Sequence, residues 1–154
     1  MARAPRSLLE RSSTHRYQDG ELRSGLSAEQ SAGVLIVVAD RLVGRRLARL
    51  LTGRGYAGVR AVSSASRALI LAHAHDPGII FLDLELSDEA YDLARVLRQQ
   101  TRHDAHRLIA LTPAIEQSTR ERARRAGFER WLVTPVVQSE LEDLLLEQQT
   151  LLTE

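Results

Sequence analysis

Five short apolar runs, each followed by a segment with helical spacing, restrict this chain to very few folds. The first run, "VLIVV" at residues 34–38, is all β-formers with no polar alternation, the pattern of a strand buried on both faces. "VRAV", "IIFLDL", "RLIALT" and "RWLV" supply four further strands. After the first, Val43, Leu47, Leu50 and Leu51 recur at helical spacing through "RLVGRRLARLLTGRGY", where Gly53 and Gly55 stop the helix. "SSASRALILAHAH" offers Ser63 or Ser64 as N-cap and a stripe of Ala65, Ala68, Leu69 and Ala72, ended by Pro77 and Gly78. "DEAYDLARVLRQQ", "STRERARRAGF" and "SELEDLLLEQQTLL" complete the helices. Strands alternating with helices pair in parallel through right-handed crossovers. The expected fold is therefore α/β, a five-stranded parallel sheet in a (βα)5 three-layer sandwich.

One such domain, expected over residues 33–150, uses most of the 154 residues. Residues 1–32, rich in Arg and Ser, lack the continuous apolar stretch of a secretory signal and read as a disordered or docking tail; residues 151–154 form the C-terminal end. Only 4 % of residues are aromatic, so Leu, Val, Ile and Ala must build the core. The 21 basic residues are all Arg and nearly cancel 20 acids, leaving a net charge of +1 and no bulk attraction to nucleic acid. The absence of Cys excludes a disulfide framework, a thiolate metal site and a cysteine nucleophile. No apolar run approaches the roughly 18 residues of a membrane helix, and a cytoplasmic location is expected.

Ligands of parallel sheets gather at the carboxyl ends of the strands. Those ends are Val38, Ala39 and Asp40, then Asp83, then Thr112, then Thr134 and Pro135. In element order and landmark spacing, residues 33–149 resemble the receiver domain of bacterial response regulators, the aspartate-phosphorylated half of two-component systems, with a flavodoxin-like or CheY-like fold. The spacings run 44 residues from Ala39 to Asp83, 29 on to Thr112 and 22 on to Thr134. The resemblance implies that Asp83 of "FLDLEL" is the candidate phosphoacceptor, that Thr112 of "IALTP" and Trp131 of "RWLVTP" occupy the switch positions, and that Pro135 follows a cis bond, prolines being where such bonds are tolerated.

Three positions depart from the family pattern. Gapless alignment puts Val38 and Ala39 where the family has an acidic pair, and Thr134 where it has a lysine. A one-residue deletion in the first helix would instead slide Asp40 into the second acidic position, but the 44-residue spacing argues against it. Phosphoryl transfer to a carboxylate needs the charge on the equatorial oxygens neutralised, which Mg²⁺ and a cation supply in the family. Mg²⁺ takes oxygen ligands in near-octahedral order, so Asp83 with a weak contribution from Asp40 makes a poor cage. Thr134 offers a hydroxyl without charge, and no other Lys exists to substitute.

The leading expectation is an atypical receiver-like module in phosphorelay signalling that acts by protein contact, largely without phosphorylation, with no cofactor and no enzymatic activity. The alternative is a working receiver phosphorylated on Asp83 by a histidine kinase, with Mg²⁺ held by Asp40 and Asp83. A third reading, ranked last, is an anion or nucleic-acid binder using the Arg faces of the first helix (Arg45, Arg46, Arg49) and fourth helix (Arg120, Arg122, Arg124, Arg125). Those faces read first as solvated. Expected partners are a histidine kinase or output protein. Leu141, Leu144, Leu145, Leu146, Leu151 and Leu152 give the last helix more apolar surface than one sheet-facing stripe needs, and in receivers the fourth helix, fifth strand and fifth helix form the usual partner surface, so a homodimer through them is expected.

Two other motifs carry less. "GRGYAG" at residues 53–58 matches a dinucleotide fingerprint but lies after a helix and before a strand, the reverse of what that motif requires, and reads as a helix stop. "RHDAHR" brings His103, Asp104 and His106 close in sequence without a third firm ligand and reads as a solvated loop.

Overall fold

The computed structural model describes residues 32–100 and 106–153. The expected tail up to residue 31 and the pair His103 and Asp104 lie outside them. Five strands, β1 (Val34–Val37), β2 (Val59–Val62), β3 (Ile79–Asp83), β4 (Arg107–Thr112) and β5 (Arg130–Val133), pair in parallel throughout in the order β2-β1-β3-β4-β5. The helices are α1 (Arg41–Gly53), α2 (Ala65–His75), α3 (Asp88–Gln100), α4 (Gln117–Ala126) and α5 (Gln138–Thr153), with a 3-10 turn at Leu84–Leu86. This is the expected (βα)5 sandwich.

Strand alternation sorts the core into two layers. Val34, Ile36, Ile79, Phe81, Ile109 and Leu111 meet Leu47 and Leu51 of α1 and Leu141, Leu144 and Leu145 of α5. Leu35, Val37, Ile80, Leu82, Leu108 and Ala110 point the other way, onto α2, α3 and α4. The helical contributions there include Ala68, Ala72, Ala90, Ala94, Ala123 and Ala126, whose small side chains let three helices lie close to one sheet face. Three of the α5 leucines are thus core residues, which accounts for much of its apolar surplus; Leu146 is exposed. The helix runs to Thr153, because no Gly or Pro follows residue 138 to stop it.

Helix ends follow local chemistry. Ser64 caps α2, its side chain accepting from the Arg67 N–H at 3.3 Å. The end of α4 depends on Gly127, whose φ of 109° is a conformation L side chains rarely adopt. Arg98 of α3 ties that turn to the sheet. Its Nε and one terminal nitrogen donate to the Gly127 carbonyl at 3.2 and 2.8 Å, and the other donates to the His106 carbonyl at 2.8 Å. His106 departs from the sequence expectation of a solvated loop. It is buried, with its ring Nδ1 2.7 Å from the Pro77 carbonyl, because the residue opens onto the base of the sheet beside β3 and β4.

Candidate functional site

In the strand order, β1 lies between β2 and β3, so successive connections leave in opposite directions at the carboxyl ends of β1 and β3. Such a reversal opens a crevice. Ala39 and Asp83 meet there. Asp83 is 8 % exposed, and both its oxygens are engaged: Oδ2 accepts from the Ala39 N–H at 3.0 Å and Oδ1 from the Glu85 N–H at 2.9 Å. The second bond caps the 3-10 turn after β3. One carboxylate therefore pins the β1 end and the β3 turn to one another across 44 residues of chain. Charge-assisted bonds of this kind contribute about 1.5–3 kcal/mol each where they are shielded from water.

The β1 end brings no second carboxylate to Asp83. Val38 is buried in the layer shared with α1 and α5, and Gly44 of α1 approaches it so closely that a Cβ on Gly44 would stand 2.7 Å from Val38 Cγ2. Asp40 is exposed and caps α1, its Oδ1 accepting from the Leu42 N–H at 2.9 Å. The makeshift metal ligand considered from sequence is committed to a helix end, a role its position one residue before Arg41 already favours. Among the described residues no group of three His, Cys, Asp or Glu side chains is placed to hold a metal ion. The donor set at this crevice does not fit Mg²⁺, which requires several oxygen ligands in near-octahedral array.

Thr112 and Thr134 stand on the far side of Asp83. Thr112 is buried, and its hydroxyl donates to the Ala114 carbonyl at 2.8 Å, within its own loop. The Thr134 N–H donates to the Thr112 carbonyl at 2.8 Å. The Thr134–Pro135 peptide bond is cis. Trp131 pairs with Ala110 across the β4–β5 register and packs half-buried on the α2–α4 layer. The guanidinium of Arg120 lies over its ring, 5.2 Å from the centroid, a cation–π contact. Arg122 likewise lies 3.9 Å over the Tyr91 ring and donates to Asp88 at 2.7 Å; that hydrogen bond is the main cause raising its pKa above the ordinary arginine value. Two of the α4 arginines taken from sequence as solvated are thus anchored on aromatic rings. Sequence could not show this, because Arg120 and Trp131 lie on different elements.

Residues 34–146 match the family profile of the response regulator receiver domain. The chain belongs to this family. As a receiver domain it works in two-component signalling. No curated protein matches it in sequence. Among solved structures, it is similar to the chemotaxis protein CheY4 of Vibrio cholerae, at 20 % identity and a TM-score of 0.70 over 76 % of this chain and 98 % of that one. The signal receiver domain of a DNA-binding response regulator from Colwellia psychrerythraea superposes at 20 % identity and 0.69, over 79 % and 98 % of the two chains. A response regulator from Thermotoga maritima does so at 15 % and 0.69, over 76 % and 96 %. At these identities the structural likeness establishes the fold alone. Among the described residues no helix of this receiver is long and apolar enough to cross a membrane.

Proposed function

We propose that this receiver signals by protein contact and does not use aspartyl phosphorylation as its switch. The observation that carries this reading is the state of Asp83: its two oxygens are held by the Ala39 and Glu85 amides, with buried Val38 beside the β1 end and no second acid to share a metal. Val38 and Ala39 then stand in place of a metal-binding acidic pair, and Thr134 in place of a lysine. In this reading Asp83 is a structural anchor and Thr112 is satisfied by its own loop. The chain acts in the cytoplasm, with a histidine kinase or an output protein as partner, and residues 33–150 form the working module.

The direct test is incubation with acetyl phosphate and Mg²⁺, followed by a phosphate-affinity gel. The expected result is an unshifted band identical to that of Asp83→Asn. A shifted band present in the wild type and absent from Asp83→Asn would establish the alternative, a receiver phosphorylated on Asp83, for which the retention of both Asp83 and Thr112 at adjacent strand ends speaks.

The contact surface we assign is the face of α4, β5 and α5. Val133 and Val137 are 39 % and 49 % exposed, and Leu146 of α5 is exposed as well. A second copy of this chain is the proposed occupant. Val137→Glu, a change at an exposed position, is expected to leave the fold intact and convert a dimer into a monomer in light scattering. A monomeric wild type would remove the homodimer and leave this face to another protein.

A further inference from the structure

We infer that the cleft between α1 and the start of α2 binds a phosphate-bearing small molecule. The cleft has a volume of about 580 Å³, within the range of small-ligand sites. It lies beside the β1 end, on the opposite side of Val38 from the Asp83 crevice. Three arginines line it: Arg41 and Arg45, four residues apart and hence on one face of α1, and Arg67 in the first turn of α2. No acid lines it. Asp40, the nearest carboxylate in sequence, is turned onto the Leu42 N–H.

Nine of the fifteen described arginines have no ion pair among the described residues, and Arg41, Arg45 and Arg67 are the three of these that line this cleft. Arg54, Arg95, Arg98, Arg107, Arg122 and Arg130 each have a carboxylate within salt-bridge distance. Arg41, Arg45 and Arg67 have no ion pair among the described residues, although Asp and Glu are nearly as numerous as Arg in the chain. Positively charged residues around one cleft whose lining holds no acid favour a bound anion. Guanidinium forks match phosphate oxygens in geometry, two at a time.

The rest of the lining suits a phosphate ester better than a bare ion. Ser63 and Ser64 add hydroxyls at the start of α2, and the Ser64 oxygen, which accepts from the Arg67 N–H, keeps its own proton to donate. The positive end of the α2 dipole points the same way. The floor is apolar and shallow, formed by Val38, Gly44, Ala48 and Ala61. Gly44 lets α1 pack directly on this floor, since a Cβ there would stand 2.7 Å from Val38 Cγ2.

Calorimetric titration of the full chain at about 0.1 M salt, with adenosine diphosphate, inorganic pyrophosphate and adenosine as probes, tests the inference. The expected result is saturable binding of adenosine diphosphate, at least about tenfold tighter than either pyrophosphate or adenosine, because both halves of the cleft are used. Arg41→Gln, Arg45→Gln and Arg67→Gln should each weaken it by about tenfold or more, while Arg124→Gln on α4 should leave it unchanged. All four positions are exposed, and circular dichroism checks that each variant is folded. Absence of binding up to about 10 mM, or binding that survives the triple Arg→Gln variant, overturns the inference. Pyrophosphate binding as tightly as the nucleotide overturns the phosphate-ester assignment.

Discussion

Grafting acids and a lysine into the crevice, as Val38→Asp, Ala39→Asp and Thr134→Lys together, is expected to raise phosphate acceptance on Asp83 far above that of the wild type. Each restored charge contact contributes about 1.5–3 kcal/mol, or roughly 10- to 100-fold in rate or affinity, so three together change phosphorylation by several orders of magnitude. The graft also costs stability. Val38 is 2 % exposed, and replacing it forfeits about 1.5–3 kcal/mol of apolar burial while placing a carboxylate against the α1 layer. The variant should therefore melt below the wild type in a chelator and recover as Mg²⁺ is added, because a metal bound by the folded state alone stabilises it by mass action. Gel shift with acetyl phosphate and melting with and without Mg²⁺ measure both effects. A folded graft that gains neither would show that Val38, Ala39 and Thr134 do not limit phosphorylation of Asp83.

The second large effect is structural. Arg98→Ala is expected to lower the unfolding free energy by about 2–4 kcal/mol, read from denaturant melts. The guanidinium gathers the Gly127 carbonyl at the end of α4, the His106 carbonyl at the start of β4 and the Glu129 carboxylate at 3.3 Å. It is only 21 % exposed, so solvent screens these bonds little and their loss leaves backbone carbonyls poorly solvated. Arg98→Lys should recover part of the loss, since an ammonium can serve one carbonyl but not the fork of two. Gly127→Ala should cost a comparable amount by a different route, because φ is 109° there and the new Cβ would lie 2.8 Å from Arg98 Cγ. A loss below about 0.5 kcal/mol for Arg98→Ala would mean that water replaces these contacts freely.

The architecture was legible because it is repetitive. Strongly apolar strands such as "VLIVV" and "IIFL", separated by helices whose stops are written in Gly53, Gly55, Pro77 and Gly78, leave little freedom in the order of elements. The Ala39 amide and the Asp83 carboxylate, 44 residues apart, meet in the structure, a contact that the spacing alone does not state. What sequence could not reach were interactions between elements without a periodic signature. His106 sits in a polar stretch yet is buried against the Pro77 carbonyl, because the burial comes from the sheet base and not from its neighbours in sequence. Arg45 reads as part of a solvated helix face, and Arg41 and Arg67 have no signature of their own; they come together only where α1 and α2 lie side by side around one cleft. Asp40 reads from sequence only as a weak metal ligand, and its capping of α1 emerges from the helix start at Arg41.

The affinity of the Asp83 crevice for a divalent cation tests most directly whether this receiver can switch by phosphorylation. Titration of the wild-type chain with Mg²⁺, read by calorimetry and by the fluorescence of Trp131, is predicted to give no saturable signal up to about 20 mM. A dissociation constant in the submillimolar range, lost in Asp83→Asn, would contradict the proposal.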